Sequence, residues 1–503
     1  MQSNLSILAR TSSFLKQSRG GRCSHPRSLI SGVGRWLIGV GLVLATAGTQ
    51  GFAQRQDASF EPFSDFINQT RQARAQEFLG NTDSKLDALM TSVNQAGAHT
   101  TFRVRDEAAF EEMRQAVLKR YQDVEVTHSF VQDNQHYDCI PIKQQPSVRK
   151  YNLTEIATPP IVPRPSGDQA ELEVKAEASL TPERQVDDYG NLTRCEANTI
   201  ALPRLTLETL SRFPTLHDFY KKPAPPSTTK ATSRGVTSPS TFSADPQAQD
   251  LGHKYAVFGQ DVTNLGANVT LNIWSPFVDT STGQVFSLMQ MWVIGDHSTE
   301  ETGWVVYPAM FGDEKSHFFI FSTADDYQTT GSWNNAADDF VQIADFGVLG
   351  SSFSGYSSPG GTQQEFSVSY LRDAKNNWWV YRGGATIGYY PAKFYGSDPT
   401  TRHTVEVGTE TAPSDQASWP AAGSGNWAAA LYGYAAYARQ LVYYNTSNAA
   451  IWSDYHWVGN SSCYNTAGPF SNGNGGNIPP NGPDHVWWTR YLFVGGPGGT
   501  NCN

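Results

Sequence analysis

The spacing of apolar residues along the chain changes near residue 250. Before it, a three-to-four period marks two stretches, Phe60 to Ala96 and Asp106 to Tyr121; in the second, Phe110, Met113, Val117 and Tyr121 would line one helix side. Short β segments and a further helix over Thr206 to Phe213 complete an N-terminal unit. From His253 onward the period is two. Alternating runs follow at Tyr255–Phe258, Ala267–Trp274, Phe286–Ile294, Gly303–Pro308, His317–Ser322, Glu365–Leu371, Asn377–Arg382 and Thr404–Val407, each bounded by Gly, Asn, Asp or Ser. A last run, Val486 to Val494, precedes Gly495-Gly496-Pro497-Gly498-Gly499. Many short strands at this spacing predict an antiparallel β-sandwich, with one further helix expected at Trp427–Tyr437. The absence of a fixed long repeat argues against a propeller or solenoid. The expected fold class is an α+β N-terminal region followed by an all-β domain.

The domain boundaries follow from composition. Residues 1–35 carry Arg10, Lys16, Arg19, Arg22, Arg27 and Arg35 with no acid, and an apolar run from Trp36 to Ala47 leads to small residues at Gly51-Phe52-Ala53. This is the pattern of a signal peptide, 1–53, and the run is too short for a transmembrane helix. The N-terminal unit spans 54–220. Residues 221–250, opening Lys221-Lys222-Pro223-Ala224-Pro225-Pro226, have little to bury and read as a mobile, protease-accessible linker. Residues 251–503 form the β domain. The expected location is secreted, extracellular or periplasmic, with no membrane partner once the leader is gone. In an oxidising compartment the four cysteines beyond the leader should pair, Cys139 with Cys195 and Cys463 with Cys502.

Charge narrows the partners. The net charge of -10 argues against nucleic acid and anionic membranes. The β domain holds 9 Lys/Arg against 20 Asp/Glu, so it gains little self-repulsion when its carboxylates are protonated. There is no G-x-S-x-G, no H-E-x-x-H, no P-loop and no dinucleotide fingerprint. His253, His297, His317, His403, His456 and His485 show no metal spacing, so neither metal nor cofactor is expected. That leaves carboxylates among aromatics. Glu300 and Glu301 enter a strand whose alternation puts Glu301, Gly303, Val305 and Tyr307 on one face and Glu300, Thr302, Trp304 and Val306 on the other. A carboxylate facing an aromatic surface would have a raised pKa and could move protons; an exposed edge-strand glutamate is the plainer alternative. A carboxylate pair can serve a glycosidase or activate water against a peptide bond, and a lectin-like binding module needs no catalysis at all.

An ordered series of motifs goes further. It comprises Ser287-Leu288-Met289-Gln290-Met291-Trp292-Val293, Gly303 to Pro308, Phe311-Gly312-Asp313, Thr323 to Gly331, Asn377-Trp378-Trp379, Ile387 to Ala392 and the closing G-G-P-G-G before Cys502. With these the chain from His253 resembles the neprosin family of secreted glutamic peptidases, which prefer to cleave after proline. Tyr137-Asp138-Cys139-Ile140 and Lys143-Gln144-Gln145-Pro146 resemble that family's activation peptide. The resemblance implies Glu301 and Glu410 as the catalytic pair, the latter in a turn, with Glu300 and Glu406 as the competing assignments. Relatives often carry Gln at the first position, so Glu410 is expected as general base and Glu301, held protonated, as proton donor to the oxyanion and leaving amine. Gln290, Trp292, Trp304, Trp379 and Tyr390 are expected to bind substrate. The local cysteine pair of plant members is replaced by Gly331-Ser332-Trp333-Asn334-Asn335-Ala336-Ala337. The expectation is a monomeric zymogen acting on polypeptides in acid, inhibited by its own pro-region and freed by a cut between Ala224 and Asp250. An ion pair between either catalytic carboxyl and an arginine would end that reading.

Overall fold

A computed structural model describes residues 59–79, 102–165, 186–222, 252–396, 398, 401–414, 417–478 and 488–502. The expected signal peptide and the linker beyond Lys222, with its activation cut, lie outside these residues. All the described residues belong to one compact unit, 55–503.

Helices Phe63–Gln72 and Glu107–Arg120 open the N-terminal unit. The second is capped by the Asp106 side chain, which accepts the Ala109 N–H at 2.8 Å, and it buries Phe110, Met113 and Val117, the stripe read from the sequence. Strands β1 (His128–Gln132), β2 (Gln135–Pro141) and β3 (Thr199–Pro203) form an antiparallel sheet, and Cys139–Cys195 ties the chain beside it. The helix expected over Thr206–Phe213 covers only Leu207–Leu210.

The β part continues with β4 (Lys254–Asn264), β5 (Gly266–Asn272), β6 (Gln284–Ile294), β7 (Thr299–Val306), β8 (Ser316–Thr323), β9 (Ser332–Trp333) and β10 (Val341–Gln342). Next come β11 (Glu365–Arg372), β12 (Trp378–Arg382), β13 (Ala385–Tyr390), β14 (Arg402–Pro413), β15 (Ala436–Tyr444), β16 (Ala450–Trp452), β17 (Trp457–Gly459), β18 (Asn465–Ser471) and β19 (Arg490–Gly495). They make two sheets, one ordered β17-β4-β14-β6-β7-β8-β9 and one ordered β10-β13-β12-β11-β5-β15-β19-β18 with β16 beside β15. All the pairings between these strands are antiparallel. Their facing sides share one core: Met289, Met291 and Val293 of β6, Trp304 and Val306 of β7, and Val405 and Val407 of β14 meet Val269, Leu271, Phe366, Val368 and Val494 of the other sheet. This is the expected sandwich, and Cys463–Cys502 closes as expected. No described helix is long and apolar enough to cross a membrane.

Two elements differ from expectation. Trp427–Tyr437 is no helix: a single tight turn at Ala428–Ala430 is followed by Gly433 in the left-handed region at φ 85, and strand β15 begins at Ala436. The chain already leaves helical geometry at Leu431, at φ 60 and ψ -159, and the alternation from Ala436 lets β15 pair with both β5 and β19. Strand β14 runs on through Pro413, so Glu410 stands inside a strand and not in a turn.

The outward face of the seven-stranded sheet is covered. Phe286, Leu288, Val305, Tyr307, Phe319 and Phe321 share a cluster with Leu210, Phe213, Leu216 and Phe219 of the N-terminal unit. Polar contacts pin the cover along the 335–345 segment. Arg120 donates to the Asn335 carbonyl at 2.9 Å and pairs with Asp338. Gln145, from the K-Q-Q-P motif, donates to the Gln342 carbonyl at 3.1 Å and accepts the Gln342 N–H at 2.8 Å.

Candidate active site

β14, β6 and β7 lie side by side in the middle of the seven-stranded sheet. Their registers align Glu406–Trp292–Glu301, Gly408–Gln290–Gly303 and Glu410–Leu288–Val305 in three successive rows. All these positions share the face turned away from the sandwich core, because the intervening residues fill that core. Glu301 and Glu410 therefore stand diagonally to either side of Gln290. The middle row is kept low by its glycines. A Cβ on Gly303 would come within 2.0 Å of the Met289 carbonyl oxygen, and one on Gly408 within 2.2 Å of that of Ala256. The two carboxyls can lean together over the gap.

They meet on one atom. The Lys222 ammonium donates to Glu301 Oε2 at 2.5 Å and to Glu410 Oε2 at 2.7 Å. Tyr327 donates its hydroxyl to Glu301 Oε1 at 2.7 Å, and Gln290 Nε2 donates to Glu410 Oε2 at 3.0 Å. His253 Nδ1 lies 2.6 Å from Glu410 Oε1. Gln290 Oε1 has no hydrogen-bond partner among the described residues. Tyr370, reaching across from β11, donates to the Glu301 backbone carbonyl at 3.0 Å. Both carboxyls are buried.

Burial raises the Glu301 pKa, and the Glu410 charge adds to this against the pull of Lys222 and Tyr327. Burial would raise Glu410 as well, but Lys222 and the hydrogen bond from His253 outweigh it and hold that carboxyl down at about 2. The two carboxyls are thus shifted in opposite directions, Glu301 up and Glu410 down. That is the asymmetry a general acid and a general base require. Among the described residues no group of His, Cys, Asp and Glu could hold a metal ion.

The Neprosin family model matches residues 283–497, a span that takes in both glutamates, Gln290 and Trp292. Residues 283–497 thus match a neprosin domain. Solved structures are also similar to it: a scytalido-glutamic peptidase with a transition-state-analogue inhibitor, at 9% identity over 48% of this chain and 97% of that one, with a TM-score of 0.26; a scytalido-glutamic peptidase with a peptide-based transition-state analogue, at 9% over 42% and 92%, TM-score 0.23; and SCP-B of the eqolisin family with the tripeptide Ala-Ile-His, at 8% over 42% and 92%, TM-score 0.21.

Within the neprosin domain the competing acids separate cleanly. Glu300 faces the interior, where Arg402 Nε lies 3.0 Å from its Oε2 and Arg402 Nη2 2.8 Å from its Oε1. That guanidinium also packs over Trp378 and Tyr395 and reaches Asp398 at 3.1 Å, so Glu300 is a structural anchor. Neither Glu301 nor Glu410 has an arginine partner among the described residues. Glu406 shares the outward face but stays apart from the pair. It is buried, its Oε1 has no partner among the described residues, and burial with the Asp261 and Glu301 charges pushes its pKa to about 8.

Of the residues expected to bind substrate, Gln290 touches Glu410 directly and Trp292 lies on the same face, beside Tyr255 at 6.3 Å between ring centroids. Three expectations are corrected. Trp304 points into the sandwich core and donates its indole N–H to the Asn272 carbonyl at 2.9 Å. Tyr390 lies in the same core, packed on Phe340. Trp379 lies on the outside of the other sheet, in a cluster with Val148 of the N-terminal unit. The alternation of β7 already placed Trp304 opposite Glu301; aromatic content alone had suggested otherwise.

Sequence reasoning missed His253, Tyr327 and Lys222. A histidine just before β4 and a tyrosine in the Thr323–Gly331 motif were both visible as residues. Their convergence on two carboxyls depends on loops folding back over the sheet. Lys221 and Lys222 were expected to be part of a mobile linker. They are held: the Lys221 carbonyl accepts the Trp333 indole N–H at 3.3 Å and the Lys221 ammonium sits on the Thr330 carbonyl.

Proposed function

We propose that the protein is the secreted zymogen of a glutamic endopeptidase in which Glu410 and Glu301 activate water against a peptide carbonyl. The observation that carries this reading is the meeting of two glutamates, from strands far apart in the sequence, on a single nitrogen atom.

With the N-terminal segment withdrawn, a water takes the position of the Lys222 ammonium. Glu410 Oε2 removes its proton as the oxygen attacks the scissile carbonyl. Protonated Glu301 donates to the oxygen that gains charge, then supplies the proton the leaving amine needs. Gln290 and His253 orient Glu410, Tyr327 orients Glu301, and Gln290 Oε1 is available to a substrate N–H. Loss of the lysine charge removes a cause that lowers both pKa values, so the pair titrates as a unit at a higher pH than in the full-length chain. The working form holds one proton, and activity peaks in acid.

Preference for proline rests on the motif resemblance, with Trp292 available to stack on a proline ring. The N-terminal unit acts as the inhibitor by covering the outward face, and the domain is released by a cut between Ala224 and Asp250. Secretion is supported by the basic leader, the apolar run and the two disulfides.

The test is incubation at pH 3–6 with a proline-containing peptide and, in parallel, with polysaccharides. Peptide cleavage and N-terminal sequencing that places the self-cut within 224–250 are the expected results. Glu410→Gln should lower the peptide-cleavage rate by about 10²–10⁴-fold with the fold retained. Sugar release, or full activity of Glu410→Gln, overturns the assignment.

A further inference from the structure

We propose that the two carboxyls and the rings beside them form a binding site for a primary alkylammonium group, filled by Lys222 in the full-length chain and open to lysine side chains presented from outside once that segment has left.

The Lys222 side chain is only 10% exposed. Its nitrogen touches one oxygen of each carboxyl and lies 5.7 Å from the Phe321 ring centroid and 5.8 Å from that of Trp333. Burying an ammonium is costly unless its charge is met. Here two carboxyls meet it, two aromatic faces add cation–π attraction, and the remaining oxygens of those carboxyls are held by Tyr327 and His253. Three donors radiating from one atom suit this arrangement, because the accepting oxygens belong to different side chains and converge on a point. A guanidinium spreads its donors in a flat fork matched to a single carboxylate, as Arg402 does with Glu300. The site therefore selects lysine over arginine.

The main chain is registered for the same purpose. Trp333 holds the Lys221 carbonyl and Thr330 holds the Lys221 ammonium, so Lys222 is delivered by a fixed segment. As an inhibitor this ammonium stands where the attacking water is needed. That consequence rests on the peptidase reading; the ammonium site itself does not.

Two full-length variants test it. Lys222→Met keeps the apolar stem and loses the charge; its peptide-cleaving activity near pH 5, before any processing, should exceed that of the wild type by about a hundredfold. Lys222→Arg should be released to a similar degree. Lys222→Ala leaves a space that n-propylamine completes, so adding the amine should restore latency, while n-propanol and tetramethylammonium should not.

A second readout needs no catalysis. n-Propylamine should raise the melting temperature of Lys222→Ala and bind it by calorimetry, leave the wild type unchanged, and lose its effect when Glu301→Gln and Glu410→Gln are added. An amine that binds without any peptidase activity appearing in any variant leaves the ammonium site standing and removes the enzyme reading. Peptidase activity with Lys222→Met as latent as the wild type, or rescue equal with n-propanol, overturns the ammonium site alone.

Discussion

Glu300 and Glu301 are neighbours on one strand, and they meet opposite circumstances. Glu300 turns inward to Arg402, a partner from the same sheet, gripped on both oxygens and stacked between rings. Glu301 turns outward to Lys222, a partner from the N-terminal segment. Both acids are buried and both carry raised pKa values, with burial the leading cause in each. On the zymogen proposal the contrast lies in which partner leaves. The ion pair with Arg402 is part of the fold, whereas the pair with Lys222 would be a state of the molecule. A raised pKa is therefore a poor guide to function until the counter-charge is identified.

The comparison can be broken most directly at Glu300. Glu300→Gln leaves buried Arg402 with Asp398 as its remaining counter-charge and should cost about 3 kcal/mol in denaturant unfolding, with Glu300→Gln/Arg402→Met recovering most of it. Glu301→Gln keeps a hydrogen-bond donor but has no proton to give, so it should lower activity, at a far smaller cost in stability. A Glu300→Gln protein that is stable but inactive would reverse the two assignments.

Glu406 sharpens the point, since it lies on the outward face and no cation among the described residues lowers it. Its folded pKa of about 8 exceeds the ordinary 4.5, so the unfolded chain releases this proton first as pH rises. The folded state is penalised progressively from about pH 4.5 to 8. Glu406→Gln should therefore match wild-type stability at pH 4 and exceed it at pH 8 by on the order of a few kcal/mol. Melting curves at the two pH values check this; equal shifts at both would mean Glu406 is already ionised.

The smallest effect separates the faces of β7 and β6 through their tryptophans. Trp304→Phe loses the hydrogen bond to Asn272 and some core volume, about 1–3 kcal/mol, with KM unchanged. Trp292→Phe should raise KM with little change in melting temperature. The opposite pattern would put the substrate on the wrong side of the sheet.

Much of this is legible in the sequence. Period-two alternation marks the strands from Tyr255 to Val407 and assigns Glu300 and Glu301 to different faces. The expected pairing of Cys139 with Cys195 and of Cys463 with Cys502 is the one the structure forms. The misreadings have a common source. Trp304, Trp379 and Tyr390 are aromatic and close to a motif, yet large rings in a β-sandwich are consumed mainly by its core. Trp427–Tyr437 is rich in alanine, which favours a helix, but the chain leaves helical geometry at Leu431 and β15 pairs with β5 and β19 instead.

By itself the sequence determined the alternation, the change of character near residue 250 and the split of Glu300 and Glu301 between two faces. Those follow from local rules, because a strand's two faces and a turn's glycines are set within a few residues. Only the tertiary structure decided that Glu301 and Glu410 converge, that Gln290 lies between them, and that a lysine bound for a linker is held against both. Such contacts join residues 79 and 188 positions apart. Strand order and sheet packing bring them together, and no local pattern encodes either.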